Sequence, residues 1–459
     1  MSTNVAKKHQ EELLSKLNTI SSFIATTADD SDRDMFQGYI NDIERDIKAR
    51  KYGMVFEEHR EHTEELIDSS IPVFTEEKAL GINNGGKMNI LIEGDNLAAL
   101  KILEKDYKER IDLIIIDPPY NGGRHDLRYY DDYVNISDLY PHSRWLSFMD
   151  KRLRAAEKLL NEAGYILINI DENELAQLKL LCDDIFGENN FVGIFVWEKT
   201  STPPALSNKV RKKLEYILCY AKKLNISHRF SQGIIDGGDA PLLNFKNAVK
   251  ILTFPKGCVK FNIPDGIYES TKSEKVTLIN PVTVKNGRNE NSFALKGKFK
   301  WTQETVQKEI EEGTIFVVRS RKFLIRYQRF SKKTVKVPLD LLNRELGIGT
   351  NETAKSELEE LGLPAFHYPK PVSLYEFFIK MVNSKKNMTV LDFFAGSGTT
   401  GEAVLRVNKQ TGSEHCFILC TDNQDNICRG TTYERIKRVI AKENYRTGLK
   451  FYKVDFIDG

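Results

Sequence analysis

Residues 111–120 read Ile-Asp-Leu-Ile-Ile-Ile-Asp-Pro-Pro-Tyr, and this stretch decides the fold. Its first six residues are almost all isoleucine or leucine, a pattern that predicts a short buried strand of a parallel sheet. Pro118 and Pro119 have no backbone N–H to donate to a neighbouring strand, so the strand must end there. Asp117 and Tyr120 therefore lie at the carboxyl end of a strand, which is the edge where open α/β sheets bind ligands.

The residues at this strand end suit the methylation of an amino group. An exocyclic amine, such as the 6-amino group of adenine, is a weak nucleophile because its lone pair is delocalised into the ring. Two acceptors on its N–H bonds would favour a nucleophilic nitrogen. The Asp117 carboxylate and the Pro118 carbonyl could be those acceptors, with Tyr120 stacked on the base. The same tetrapeptide could also serve only to end a strand.

A second stretch, residues 389–400, reads Thr-Val-Leu-Asp-Phe-Phe-Ala-Gly-Ser-Gly-Thr-Thr. It predicts a buried strand, a turn of small residues and the start of a helix. Glycine lets the backbone approach a ligand closely, and Thr399 or Thr400 could cap the helix. A glycine turn between a strand and a helix is typical of nucleotide binding, although one such turn alone is weak evidence.

Together the two stretches resemble motif IV (Asp-Pro-Pro-Tyr) and motif I (Phe-x-Gly-x-Gly) of the DNA methyltransferases that methylate amino groups with S-adenosylmethionine. Motif IV comes first, with 275 positions from Asp117 to Asp392, which is the circularly permuted order of the β class. Residues 93–101 and 140–146 further resemble the modification (Mod) subunits of type III restriction-modification systems. The resemblance covers roughly residues 50–200 and 364–440.

The resemblance implies a catalytic set and a binding site for S-adenosylmethionine. The catalytic residues it implies are Asp117, Pro118, Pro119 and Tyr120. Residues 93–96 resemble motif III, and residues 366–376 resemble motif X, a turn and helix next to the cofactor loop. The expected cofactor residues, from motif III, motif X, motif I and the strand that follows motif I, are Asp95, Asn96, Leu97, Lys370, Asp392, Phe393, Phe394, Ala395, Gly396, Ser397, Gly398, Thr399, Thr400, Asp422 and Asn423. Asp95 could equally cap the helix that begins at Leu97. Asp422 ends a predicted strand where nucleotide folds bind ribose, and Asp425 competes for that role.

Length and composition exclude several other classes of protein. A chain of 459 residues is long enough for two or three domains. It has a polar N-terminus and no apolar run of the roughly 18 residues that a membrane span needs, so we expect a cytoplasmic protein without membrane attachment. The six cysteines form no Cys-x-x-Cys pair, and we expect no metal site. No Pro-Cys nucleophile follows a strand, which argues against methylation of cytosine carbon-5.

The positive charge is concentrated in one segment. Residues 199–340 carry 28 Lys or Arg and 12 Asp or Glu, although the whole chain has a net charge of only +2. Such an excess predicts a polyanionic partner, here double-stranded DNA. By resemblance this region houses the target-recognition domain, and a basic insert without base readout is the alternative. The candidate DNA-binding residues are Arg124, Arg211, Lys212, Arg319, Arg321, Lys322, Arg326 and Arg329.

We therefore predict an α/β protein with a doubly wound, Rossmann-like methyltransferase sheet in circularly permuted order. Its parts are an N-terminal helical segment (1–80), a first catalytic part (81–200), an α+β target-recognition domain (201–363) and a second catalytic part (364–459). Residues 9–24 and 35–47 form two amphipathic helices that could pack on the chain, form a dimer contact or receive a partner subunit. The polar loop after Tyr120 could close over a flipped base or be an ordinary surface loop.

The predicted activity is methylation of the N6 amino group of adenine in DNA. Cytosine-N4 methylation uses the same chemistry, but the aspartate in place of a serine at position 117 disfavours it. A DNA-binding subunit without catalytic activity is the alternative of a different class. Resemblance further implies a homodimer and, in type III systems, assembly with a separate restriction (Res) subunit. The chain is short for a Mod subunit, which leaves an orphan or phage-borne relative open.

Overall fold

The computed structural model describes residues 5–27, 30–49, 56–122, 141–203, 210–225, 230–231, 234–236, 239–271, 275–329, 333–382 and 385–458. The chain forms two compact units. Unit 1 comprises residues 1–225, 339–379 and 384–459, and unit 2 comprises residues 226–338 and 380–383. Unit 2 is thus narrower than the segment 201–363 predicted for target recognition.

The bounds of the regular elements are as follows. The helices are α1 Val5–Thr27, α2 Asp30–Ala49, α3 His62–Ser69, α4 Asn96–Tyr107, α5 Pro141–Leu159, α6 Leu175–Cys182, α7 Gln303–Glu311, α8 Asn351–Glu360, α9 Val372–Val382, α10 Thr399–Thr411 and α11 Glu434–Glu443. The strands are β1 Ser70–Glu76, β2 Ile82–Asn83, β3 Lys87–Glu93, β4 Ile111–Ile116, β5 Leu160–Ile170, β6 Phe191–Glu198, β7 Leu214–Ala221, β8 Ile234–Asp236, β9 Asp239–Pro241, β10 Lys250–Phe254, β11 Val259–Phe261, β12 Gly266–Tyr268, β13 Val276–Leu278, β14 Val282–Lys285, β15 Arg288–Asn289, β16 Phe293–Gly297, β17 Ile315–Val318, β18 Ile325–Gln328, β19 Lys333–Val335, β20 Leu341–Leu342, β21 Thr389–Asp392, β22 Cys416–Thr421 and β23 Thr447–Asp458. A π-helical turn, Ile427–Tyr433, precedes α11.

Unit 1 is built on one mixed sheet with the strand order β1-β23-β3-β22-β21-β4-β5-β7-β6-β20, and β2 pairs with β23 at its side. The run from β23 to β5 is parallel throughout. Strands β1 and β7 run antiparallel to their neighbours in that run. Leu113, Ile114, Ile115 and Ile116 are completely buried, as expected where helices cover both faces of a parallel sheet. The predicted α/β class is confirmed.

Strands β4 and β21 are direct neighbours although they lie far apart in the chain. Leu113 pairs with Val390 and Ile114 with Leu391, in parallel register. Because the strands are parallel, Asp117 and the glycine turn after Asp392 leave the sheet at the same edge. This is the arrangement that circular permutation of the two motifs requires.

The structure also contains regular elements that the sequence analysis did not predict or left undecided. Strand β23 pairs with both β3 and β1 and thereby extends the sheet. Helices α1 and α2 pack on each other through Leu17, Ile40 and Ile47, while Phe23 remains 67% exposed. No helix in the described part of the chain is long and apolar enough to cross a membrane.

Unit 2 consists mainly of short strands around an aromatic core. Its largest sheet has the order β12-β14-β15-β11-β17-β18-β9, and β10-β16-β13 and β19-β8 form two smaller sheets. The rings of Phe254, Phe293 and Phe316 pack together in the core, with centroid distances of 5.2–5.5 Å. Helix α7 adds the helical element of the predicted α+β domain.

Candidate active site

Asp117 leaves the sheet at the end of β4, and both of its carboxylate oxygens accept a hydrogen bond. The Tyr120 hydroxyl donates to Asp117 Oδ1 over 2.7 Å. The Lys370 ammonium donates to Asp117 Oδ2 over 2.7 Å and lies 5.1 Å from the centre of the Tyr120 ring. The sequence prediction grouped Lys370 with the cofactor residues, but its charged end lies on the carboxylate of motif IV. Only its main-chain carbonyl reaches motif I, where it accepts from the Thr399 hydroxyl over 3.3 Å.

A second buried carboxylate, Glu215 on β7, completes this charge cluster. Its Oε1 accepts from Lys199 Nζ at 3.0 Å, and its Oε2 lies 3.5 Å from Lys370 Nζ and 3.3 Å from the Tyr120 hydroxyl oxygen. The side chains of Glu215 and Lys370 are each only 4% exposed. Lys370 was predicted for another role, and Glu215 and Lys199 were not predicted from the sequence.

The buried surroundings change the pKa values of these groups. Burial raises the pKa of Asp117, with Lys370 acting against it and Glu215 adding to it. Burial acts to lower the pKa of Lys370, but the attraction of Asp117 and Glu215 outweighs it, so that pKa is raised. Burial, together with the charges of Asp117 and Glu215, raises the pKa of Tyr120 well above its usual value. Tyr120 and Lys370 therefore remain protonated at neutral pH.

The main chain around motif IV is held by side chains from neighbouring elements. Trp145 Nε1 donates to the Pro119 carbonyl over 2.7 Å, and the buried Asn169 Nδ2 donates to the Ile116 carbonyl over 2.9 Å. Among the described residues, no side chain or backbone N–H donates to the carbonyl of the buried Pro118. Within the described ranges, side chains thus bind the carbonyls of Ile116 and Pro119, whereas the Pro118 carbonyl between them in the chain receives no donor.

Asp392 organises the glycine turn from within. Its Oδ1 accepts from the Phe394 N–H at 3.0 Å, and its Oδ2 accepts from the Thr400 hydroxyl at 2.5 Å. Gly396 and Gly398 have φ values of +46° and +80°, which L side chains rarely adopt. A Cβ on Gly396 would lie 3.2 Å from the Phe366 ring. Burial raises the pKa of Asp392 to about 7, the Thr400 and Phe394 hydrogen bonds lower it, and the charge of Asp117 adds to the rise.

Three side chains outside motif I hold the glycine turn in place. Asn96 Nδ2 donates to the Phe393 carbonyl over 2.9 Å, and the Thr432 hydroxyl donates to the Gly396 carbonyl. The buried Arg435 donates to the Ser397 and Thr399 hydroxyls over 3.1 and 3.0 Å. Asn96 was predicted as a cofactor residue, whereas Thr432 and Arg435 were missed because no local pattern connects them to the turn. Within the glycine turn, Ala395 is buried and donates its N–H to the Cys420 carbonyl.

The loop of motif III is fixed by a buried arginine. Asp95 is the N-cap of α4, since its carboxylate accepts from the N–H groups of Leu97 and Ala98 at 2.9 and 3.0 Å. Arg152 forms a bidentate pair with Glu61 and also donates to Asn96 Oδ1 over 2.6 Å. Arg152 is completely buried, with Phe148 stacked 3.6 Å from its guanidinium carbon. Motif III and motif I are thereby joined into one rigid edge.

Asp422 and Asn423 follow β22 on the other side of motif I. Asp422 Oδ1 accepts from the Gln424 N–H at 3.0 Å, and Asn423 Oδ1 accepts from the Arg429 N–H at 3.1 Å. Burial raises the pKa of Asp422 to about 6, with Asp95 and Asp425 adding to the rise. Asp425 itself has a left-handed backbone, with φ of +52°. Because β22 lies between β21 and β3, Asp422 leaves the sheet at the same edge as Asp95 and Asp392.

Several of the basic side chains predicted to bind DNA are occupied by acidic partners of their own unit. In unit 2, Arg319 and Arg326 both pair with Asp239, and Arg329 pairs with Glu309. Arg321 and Lys322 are exposed. In unit 1, Arg211 donates to the Pro203 carbonyl and Lys212 pairs with Glu172.

Two further predictions concern the loop after Tyr120 and metal binding. Arg124 and most of the polar loop predicted to close over a base lie outside the described residues. Within the described ranges, no group of three or more His, Cys, Asp or Glu side chains could hold a metal ion. All six cysteines are free.

Comparison with known proteins relates the chain to DNA methylases. The sequence profile of the DNA methylase family for N6 and N4 methylation matches residues 111–433. The StyLTI Mod subunit, from a type III restriction-modification enzyme of Salmonella typhimurium, is 31% identical over 81% of this chain and 61% of its own length. The EcoP15I Mod subunit of Escherichia coli is 29% identical over 81% of this chain and 66% of its own length. The chain thus spans about two thirds or less of these curated relatives.

Among solved structures, the PvuII DNA methyltransferase, which is cytosine-N4-specific, is 14% identical with a TM-score of 0.39. That match covers 80% of this chain and 97% of the PvuII chain.

Proposed function

The chain belongs to the DNA methylase family for N6 and N4 methylation, and from that premise we propose that it transfers a methyl group from S-adenosylmethionine to the N6 amino group of adenine in DNA. The observation that carries this proposal is the pairing of β4 with β21 in parallel register. It brings an acceptor-rich strand end and a glycine turn to one edge of the sheet. A methyl donor held at the turn and an amine held at Asp117 would then be neighbours.

The proposed role of motif IV is to bind and orient the target amine. The Asp117 carboxylate accepts one N–H of the amine, and the Pro118 carbonyl, which receives no bond from the described residues, accepts the other. The Tyr120 ring stacks on the base, and Pro119 fixes the chain between them. Because the base must reach a strand end beside a buried cluster, it has to leave the DNA duplex. Two oriented acceptors favour attack by the nitrogen lone pair.

The residues at the glycine turn fit S-adenosylmethionine by their chemistry. The two glycines in left-handed conformations expose main chain in a turn that added Cβ atoms would crowd. The proposed cofactor site is formed by Asp95–Leu97, Asp392–Thr400 and Asp422–Asn423. Asp422 stands at the strand end where nucleotide folds bind ribose hydroxyls, and its acidity also suits a cationic sulfonium nearby. Such a cofactor supplies an activated methyl group, so the protein contributes mainly orientation.

Lys370 is reassigned in this proposal from the cofactor to the catalytic carboxylate. Its ammonium lies 2.7 Å from Asp117 Oδ2, and its carbonyl accepts from Thr399 of the glycine turn. It therefore opposes the rise in the pKa of Asp117 that burial causes, and it ties the strand end of motif IV to motif I. Phe393 and Phe394, which were also predicted as cofactor residues, contact each other in a tilted arrangement with ring centroids 5.3 Å apart.

We assign recognition of the DNA sequence to unit 2, as the basic composition of this part of the chain supports. The ion pairs of Arg319, Arg326 and Arg329 stabilise unit 2 itself, so the exposed Arg321 and Lys322 are the stronger candidates for phosphate contacts. Phosphate contacts of this kind supply the salt-dependent part of DNA affinity. Arg124, Arg211 and Lys212 remain predicted DNA contacts.

The relatives described as type III Mod subunits support a place in a restriction-modification system. We propose that the protein is a homodimer on double-stranded DNA and acts either with a Res subunit or as an orphan relative. Measuring the molar mass of the purified protein with and without DNA tests the dimer.

The experiment that tests the activity uses purified protein, DNA and S-adenosylmethionine with a tritiated methyl group. The DNA is digested to nucleosides, and the label is separated by chromatography. The proposal expects the label in N6-methyldeoxyadenosine. Label in N4-methyldeoxycytidine would instead identify cytosine as the target base. No label after a single turnover would favour a DNA-binding subunit without catalytic activity.

A further inference from the structure

Glu215 has no role in the mechanism described so far, yet its carboxylate faces Tyr120 and Lys370, which belong to the proposed site. It lies on β7 and is 3% exposed, and its Oε1 forms an ion pair with Lys199 at 3.0 Å. Its Oε2 is different, because the nearest polar atoms are the Tyr120 hydroxyl oxygen at 3.3 Å and Lys370 Nζ at 3.5 Å. One oxygen of a buried carboxylate is thus directed at the catalytic set.

The Tyr120 hydroxyl lies between two carboxylates and has one proton to donate. In this structure it donates to Asp117 Oδ1, at 2.7 Å, while Lys370 occupies Asp117 Oδ2. Both oxygens of Asp117 are therefore engaged. Each carboxylate oxygen has two lone pairs, but an amine that donates to Asp117 Oδ1 competes there with the Tyr120 hydroxyl, which already donates to that oxygen over 2.7 Å. A buried hydroxyl left without an acceptor would oppose binding of the base.

We propose that Glu215 is a positioning residue that accepts the Tyr120 hydroxyl when the target amine takes its place on Asp117. This inference rests on the proposed function. A small rotation of the hydroxyl transfers its hydrogen bond from Asp117 Oδ1 to Glu215 Oε2, and no covalent bond changes. Ion pairs with Lys199 at 3.0 Å and Lys370 at 3.5 Å hold the Glu215 carboxylate in place as an acceptor. Lys370 stays on Asp117 Oδ2 throughout.

The direct test is Glu215→Gln. An amide could accept from Tyr120 only by directing its NH2 group at the Lys199 ammonium, so it cannot serve both partners. We expect the single-turnover rate of methyl transfer to fall by at least about tenfold, with the dissociation constants for cofactor and DNA unchanged within about twofold. The matched control is Glu198→Gln. Glu198 lies on the adjacent strand β6 in a partly exposed ion pair with Lys213, and its replacement should leave the rate within about twofold of the original.

The second test combines this change with Tyr120→Phe. Without the hydroxyl, Glu215 can no longer accept a hydrogen bond from residue 120, so Glu215→Gln should lower the rate of Tyr120→Phe by less than about twofold. Independent, multiplicative losses would overturn the inference, because they would indicate a general structural role. If Glu215→Gln does not fold, Glu215→Asp, which keeps the charge and shortens the reach, is tested in both backgrounds with the same expectation.

The outcomes also separate this inference from the proposed function. If the unaltered protein labels no nucleoside, the proposed function fails. If it labels adenine and Glu215→Gln reacts as fast as Glu198→Gln, the inference about Glu215 fails alone.

Discussion

Lys370 Nζ lies 2.7 Å from Asp117 Oδ2, although 253 positions separate the two residues in the chain. The contact joins motif X to motif IV inside a cluster that includes a second carboxylate, Glu215. Burial raises the pKa of Asp117, and the Lys370 ammonium opposes that rise, which favours the carboxylate form that accepts a hydrogen bond from an amine.

Replacing Lys370 by Gln should therefore affect stability and pH dependence together. We expect a loss of about 3–5 kcal/mol in the free energy of unfolding, because the partly buried Asp117 loses its ion-pair partner and the buried Glu215 loses one of two. Since Lys370 lowers the pKa of Asp117, its removal raises that pKa, and the acid limb of the rate profile should move to higher pH. Urea unfolding and single-turnover rates across pH measure the two effects.

Lys385→Gln is the matched control for that change. Lys385 forms the same kind of bridge with Asp112 on the same strand, at 2.8 Å, but its side chain is 53% exposed. Its removal should change stability by less than about 1 kcal/mol and should leave the pH profile in place. An unchanged profile in Lys370→Gln would contradict the role given to Lys370.

Two glycines with left-handed backbones allow the cost of backbone strain to be separated from the cost of a close contact of an added Cβ. Gly396→Ala combines a left-handed φ of +46° with a Cβ only 3.2 Å from the Phe366 ring, whereas Gly412→Ala has a left-handed φ of +68° and nothing within 4 Å. Gly412→Ala should cost only the backbone strain of about 1 kcal/mol. Gly396→Ala should cost more and should weaken binding of S-adenosylmethionine, measured by calorimetry. Equal effects of the two variants on stability and on cofactor affinity would argue against a ligand-shaped turn.

Arg152 should be essential for the geometry of motif III. Arg152→Met leaves Glu61 buried without its partner, and we expect a loss of about 3–5 kcal/mol in unfolding free energy. Arg154→Met is the control on the same helix: Arg154 pairs with Asp150 and Asp184 and is 38% exposed, so the expected loss is below about 1 kcal/mol. Chemical unfolding of both variants makes the comparison, and a similar small loss in both would contradict the rigid edge described for Asp95 and Asn96.

Asp392 should make stability depend on pH. Its pKa in the folded protein is raised from 3.8 to about 7, so the folded state binds the proton more tightly and loses stability as pH rises from about 4 to about 7. Asp392→Asn removes this titration. Between about pH 4 and pH 7 the free energy of unfolding of the variant should therefore rise by roughly 4 kcal/mol relative to that of the original protein, as measured by urea unfolding at several pH values.

Asp455, whose side chain is 35% exposed, has a pKa shift of the opposite sign. Its pKa is lowered by hydrogen bonds from Thr75 and Lys453, so its contribution to stability is lost as pH falls. The free energy of unfolding of Asp455→Asn should therefore fall slightly relative to that of the original protein as pH rises. A stability difference between Asp392→Asn and the original protein that does not vary with pH would contradict the buried titration.

The strand end and the glycine turn could be predicted because each is a contiguous run whose residues determine local structure. The side chains that complete the site could not be predicted in this way. Glu215 and Arg152 act through partners 95 and 91 positions away, and periodicity or composition cannot specify such pairs. Charge counting also included Arg319, Arg326 and Arg329 among DNA contacts, because it does not distinguish a free cation from one paired with Asp239 or Glu309.

Strand β23 was missed although a signal was present. Leu449 and Phe451 are buried and alternate with the more exposed Lys450 and Tyr452, which is the pattern of a strand in a sheet. Strand β23 places a neighbour beside β3, and Val454 on it lies directly against Gly94 of motif III. No helix or strand after Asp425 was predicted from the sequence.

The measurement that tests the central claim most directly is single-turnover methyl transfer to DNA by Asp117→Asn, with cofactor binding measured on the same sample. If Asp117 is the acceptor for the target amine, the rate should fall by at least about 100-fold while the cofactor dissociation constant stays within about twofold of the original. A turnover rate equal to that of the unaltered protein, with the cofactor still bound, would contradict the claim that this strand end carries the chemistry.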